Sequence, residues 1–128
     1  MLITCGAAWR WGARPERLGA VLLAVTWVVV LIGQLAMGGR RMEPIIIGDC
    51  IYGSGLLVIS GVYWRVWSWL SIALEAVAFF IHALMYQGIV NESYAYAYAM
   101  NVISILELLL LLGAALLNLR ARGLVRPH

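Results

Sequence analysis

The chain has 128 residues, 64% of them hydrophobic and only 12% charged, with a mean hydropathy of +0.92. An ordinary soluble domain is about half apolar and a quarter charged, so this composition excludes the soluble globular class and points to an integral membrane protein. The net charge of +3 comes from nine arginines without a single lysine; that balance fits membrane topology and phosphate headgroups and leaves no case for nucleic acid as a partner.

A helix needs about 20 apolar residues to cross a hydrocarbon core roughly 30 Å thick. The chain offers four such runs, 18–37, 45–63, 67–86 and 95–119. They predict an all-α fold, a transmembrane four-helix bundle spanning 18–119 with short connections. Segment 1–17 ahead of it carries Trp9, Trp11, Arg10, Arg14 and Arg17. It is expected to be a helix lying at the cytoplasmic interface or extending the first span inward. Pro15 predicts a helix start at Glu16, whose carboxylate suits the positive end of the helix dipole. The first run is too long for the apolar core of a signal peptide, about 7–15 residues, and is read as a retained span. Residues 120–128 form a basic tail.

An even number of spans puts both termini on one side. Arg10, Arg14, Arg17, Arg65, Arg120, Arg122 and Arg126 fall on that side and only Arg40 and Arg41 on the other. The positive-inside rule then places both termini in the cytoplasm. The aromatics form two belts, Trp9, Trp11, Tyr63, Trp64, Trp67 and Trp69 inside and Tyr86, Tyr94, Tyr96 and Tyr98 outside. Although "ESYAYAYAMN" alternates like a strand, an open strand at a bilayer edge would leave its backbone unpaired, so it is read as the start of the fourth span.

The third span, "SWLSIALEAVAFFIHALMYQ", carries Glu75 and His82. Seven helical residues turn through nearly two full turns, so the two lie on one face. Depth sorts the polar groups into two layers. Glu75 and Glu107 sit near the middle of their spans, while Asp49, His82, Gln34 and Asn101 sit toward the outer ends. Ser104 lies a turn from Glu107, and Asn118 shares its face. An ionised carboxylate at the bilayer centre costs about 3 kcal/mol, so these groups are expected to face the bundle interior. The bland reading is helix-packing glue, worth about 0.6 kcal/mol per contact. The sharper one is a proton relay in which Glu75 and Glu107 cannot both ionise and so hold a proton, with His82 beside Asp49 as its outer gate.

Small residues crowd the second span in three interleaved pairs seven apart: Gly48 and Gly55, Gly53 and Ser60, Ser54 and Gly61. They predict a close helix contact, either inside the chain or with another subunit. Cys5 and Cys50 belong to opposite membrane faces and cannot bridge within one chain. His128 is the only second histidine, in the tail, so haem ligation has no matched pair, and the spacing for zinc is missing. With no nucleophile elbow, phosphate loop or dinucleotide fingerprint either, no enzyme activity, metal or cofactor is expected.

The pattern "WRWGARPERLGA" before the first span, an acid opening the second and a histidine late in the third resembles a group of small four-span bacterial inner-membrane proteins. The resemblance implies an inner-membrane bundle and brings no activity with it. The favoured expectation is a small accessory or assembly component of a larger membrane complex, docking on other membrane subunits or on itself through the glycine stripe and the polar cluster. The alternatives are a proton-coupled small transporter or channel acting as a homo-oligomer, and a phage-type lysis pore.

Overall fold

The computed structural model describes residues 1–38, 42–89 and 94–124, with residues 94 and 122–124 described by their backbone alone. Arg40, Arg41 and Arg126, used above for orientation, and His128 lie outside the described residues. Among the described residues five helices form: α1 (Leu2–Trp11), α2 (Arg14–Ala36), α3 (Glu43–Tyr63), α4 (Val66–Tyr86) and α5 (Tyr94–Leu124). Helices α2 to α5 contain the four expected spans, each long and apolar enough to cross a membrane. The tyrosine-alternating stretch is helical from Tyr94 onward.

The boundaries have local causes. Ala13 is extended, Pro15 sits in the first turn of α2, and the Glu16 carboxylate accepts the Ala13 N–H at 2.8 Å, closing the helix start with its own third residue. Pro44 likewise sits in the first turn of α3. At the far end of α3, Trp64 takes a left-handed conformation with φ 49° and Arg65 is extended, so two residues reverse the chain into α4.

Helix α2 packs on α3, α3 on α4, α4 on α5, and α5 returns to α2, closing an up-down ring. The end holding Arg14, Tyr63, Val66 and the last turn of α5 is called proximal below, and the opposite end distal. Between α2 and α3 the approach is close because Gly48 and Gly55 permit it: a Cβ on Gly48 would run into Val30, and one on Gly55 into Leu22. The other two small-residue pairs behave differently. Gly53 sits beside Phe79 of α4, Ser60 is fully buried, and Ser54 and Gly61 are exposed, with open space around Gly61. Only part of the expected stripe is therefore a contact within the chain.

Segment 1–17 is no separate interfacial piece. After a turn at Gly12 and Ala13, α1 runs back antiparallel to α2, with the Cys5 thiol 3.7 Å from the carbonyl oxygen of Ala20, and packs on α2 and α5 together. Thr4, Ala7 and Ala8 form its buried face at helical spacing. Fully buried Ala8 joins the same core as Ala20, Leu23, Tyr52, Leu56, Ile59, Trp67, Leu111 and Ala115. Leu2, Ile3 and Trp9 face outward.

Gly55→Val is expected to destabilise the bundle by about 1–3 kcal/mol through overpacking against Leu22. Gly61→Val should change stability by less than about 0.5 kcal/mol. Thermal unfolding of the two variants in one detergent measures the contrast.

Candidate functional site

The buried positions of α4 explain how polar groups reach the centre. Ser68, Ser71, Glu75, Ala78 and His82 are all buried, and they recur at alternating spacings of three and four, the repeat of a seam that faces its neighbours along its whole length. In most helices such a seam is apolar. Here four of the five members carry a polar group, and the surrounding helices supply partners at three depths.

At the distal tier, Asp49 of α3, His82 of α4 and Tyr96 of α5 form a triad. The Asp49 Oδ2 lies 2.7 Å from His82 Nε2, and the Tyr96 hydroxyl lies 3.0 Å from His82 Nδ1. A neutral imidazole protonated at Nε2 satisfies both bonds, donating to Asp49 and accepting from Tyr96. A doubly protonated ring satisfies them too, because the Tyr96 hydroxyl then accepts. The triad keeps its geometry in either state. Phe79 and Tyr96 stand beside the imidazole, with ring centroids 6.3 and 5.8 Å away, and the His82 side chain is only 4% exposed.

At the middle tier, Glu75 of α4 and Glu107 of α5 are each 5% exposed and hydrogen-bonded to each other side chain to side chain. Such a bond requires a proton on one of the two carboxyls, since two carboxylates have no hydrogen to share. Glu75 Oε2 and Glu107 Oε1 are buried and receive no N–H or hydroxyl donor among the described residues, and neither does Thr26 Oγ1. Tyr52 of α3, 2% exposed, lies within electrostatic reach of both acids. Tyr52 completes a tier with members on α3, α4 and α5.

At the proximal tier, Glu16 is 1% exposed. Besides the Ala13 N–H it accepts the Trp67 indole N–H at 3.2 Å, and the Arg65 guanidinium stands 3.9 Å away. Next to it Ser60 donates to Ser68 at 2.7 Å, and Ser68 donates to the Arg65 carbonyl at 2.8 Å. Ser68, Glu75 and His82 are seven residues apart, so successive tiers are separated by about 10 Å along the helix.

The expected inward turn of Glu75, His82, Glu107 and, partly, Asp49 is what the structure has. Asn101 departs from expectation: it is exposed and outside the triad. Its position, five residues beyond Tyr96, is about 140° round the helix from the face that meets His82. Asn118 turns back on its own helix, donating to the Ala114 carbonyl at 3.1 Å. Three participants escaped the sequence reading. Tyr96 reads as an interfacial anchor and Glu16 as a helix-start residue, and nothing in the sequence singles out Tyr52. The signal for Tyr96 was its depth, matched to His82. Glu16 meets Trp67 across 51 residues of sequence, and no local pattern encodes that meeting.

Tyr96→Phe is expected to cost about 0.6–1.7 kcal/mol, the range of hydrogen bonds between membrane helices. Combined with His82→Ala it should cost less than the two single losses summed, because both remove the same bond. Asn101→Ala should be neutral. A double-mutant cycle by thermal unfolding reads all three. No protein family, characterised relative or solved structure matches the chain, so its chemistry is argued from these three tiers alone.

Proposed function

We propose that this integral membrane protein is proton-coupled, a small transporter or channel working as a homo-oligomer in a bacterial inner membrane, with Glu75 and Glu107 as the group that loads and releases the proton. The observation that carries the reading is the carboxyl pair at mid-depth, two buried acids on neighbouring helices that bond to each other and receive no N–H or hydroxyl donor at Glu75 Oε2 or Glu107 Oε1 among the described residues. A purely structural polar contact tends toward full satisfaction, because every orphaned polar atom in the interior costs free energy. Here the two groups best able to take up a proton have carboxyl oxygens that no N–H or hydroxyl donor reaches among the described residues. The Asp49, His82 and Tyr96 triad is the distal gate, since an imidazole held from both sides can pass a proton without losing its contacts. Glu16 beside Arg65 and Trp67 marks the proximal exit. The arginine distribution supports a cytoplasmic proximal end.

The earlier favourite, an accessory component of a larger complex, keeps one supporting observation. Ser54 and Gly61 form an exposed strip of small residues on α3 that a foreign helix fits closely. Its other support is weaker now, because Gly48 and Gly55 are taken up by α2 and the polar groups by one another.

Purified protein in liposomes, with a pH-sensitive dye inside and an imposed proton gradient, tests the relay. The wild type is expected to dissipate the gradient, with Glu75→Gln and Glu107→Gln each slowing it at least about a hundredfold, the lower end for losing a proton-transfer group. Each single variant should shift the infrared carbonyl band of a protonated carboxyl, and the Glu75→Gln, Glu107→Gln double variant should lose it. Unchanged flux in both variants, with the wild type active, refutes the relay. An inactive wild type that co-purifies with a stoichiometric membrane partner supports the accessory role instead.

A further inference from the structure

Outside the polar interior, the proximal end carries a second feature. A cavity of about 420 Å³ is lined by Trp9 of α1, Arg14, Arg17, Leu18 and Val21 of α2, and Tyr63 of α3. The α2 residues fall on one face of the helix, since positions three, four and seven apart line up. From Arg14 to Val21 the face runs about 10 Å, with two guanidinium groups at the end of the bundle and two aliphatic side chains deeper in. Trp9, Leu18 and Val21 are 60%, 47% and 45% exposed. The fold-back of α1 and the close of α3 at Tyr63 make walls of the two aromatics.

The charge at the mouth is uncompensated. Arg14 and Arg17 form no ion pair among the described residues. The acid nearest in sequence, Glu16, is buried and already engaged with Ala13, Trp67 and Arg65. A guanidinium fork matches phosphate oxygens in geometry and charge, and indole and phenol rings favour headgroup depth. A ligand that suits the whole cavity is therefore anionic at one end and aliphatic at the other.

We infer that this cavity is a binding site for one anionic phospholipid, its phosphate held by Arg14 and Arg17 and an acyl chain lying over Leu18 and Val21 between Trp9 and Tyr63. A zwitterionic lipid carries an amine that the cavity has no exposed acid to receive, so the site discriminates between the two headgroup classes. Inorganic phosphate offers the charge without the chain and fills only the mouth.

The test is native mass spectrometry of the purified protein in neutral detergent, titrated with phosphatidylglycerol, phosphatidylcholine or inorganic phosphate. Phosphatidylglycerol is expected to bind in one tight step. Arg14→Gln with Arg17→Gln should weaken it about thirtyfold, as for losing two arginines near an anionic headgroup. Val21→Trp, which fills the aliphatic floor and leaves the charge intact, should also weaken it. Arg10→Gln with Arg120→Gln removes as much charge elsewhere and should leave the tight step in place. Equal loss in the two double variants would reduce the effect to diffuse attraction and overturn the site. So would equal binding of phosphatidylcholine, binding of phosphate as tight as that of the lipid, or an undisturbed tight step in Val21→Trp.

Discussion

A carboxyl group surrounded by apolar side chains has to find a hydrogen-bonding partner before the helices around it can close. In this bundle Glu75 finds Glu107, and much else follows from that bond. It fixes the rotation of α4 and α5 about their own axes, because a helix turned by one residue, about 100°, would aim the acid at lipid. With α4 so turned, Ser68 and His82 on the same seam face inward two turns to either side. The serine contact and the triad are thus set in register by a single choice at mid-depth. Asp49 and Tyr96 then pin α3 and α5 to that register at the distal end.

Apolar packing contributes closeness more than direction. Lipid tails are as oily as leucine, so burying leucine between helices gains little, and the gain comes from shape. The α2 and α3 pair illustrates this: Gly48 and Gly55 let Val30 and Leu22 seat against bare backbone. Where a polar tier meets this packing, Trp67 serves both, its indole N–H on Glu16 and its ring in the core beside Leu111. The polar tiers and the helix packing are therefore not separate layers of the molecule.

The four spans were legible because length and apolar content alone decide them, and their inward acids were legible because a buried charge has only one tolerable direction. The pairing of Asp49 with His82 could be read from matched depth. The rest required knowledge of which helices are neighbours. Whether Gly48 or Gly61 meets a helix depends on the ring order, which no residue pattern in α3 states. Asn101 and Tyr96 differ in outcome by a rotation on one helix, and depth does not report rotation. The return of α1 was invisible for a different reason: Gly12 and Ala13 permit a reversal, while the small face of Thr4, Ala7 and Ala8 gains its value only against α2 and α5 together.

That return has a bearing on biogenesis. The groove that receives α1 has α2 on one side and α5 on the other, so half of it does not exist until α5 has been made and has packed. During synthesis the N-terminal helix must wait at the bilayer surface or lean on α2 alone, and it locks only when the ring is complete. A helix made before the ring is the last to reach its native place in it, like a clasp fastened after the necklace is strung.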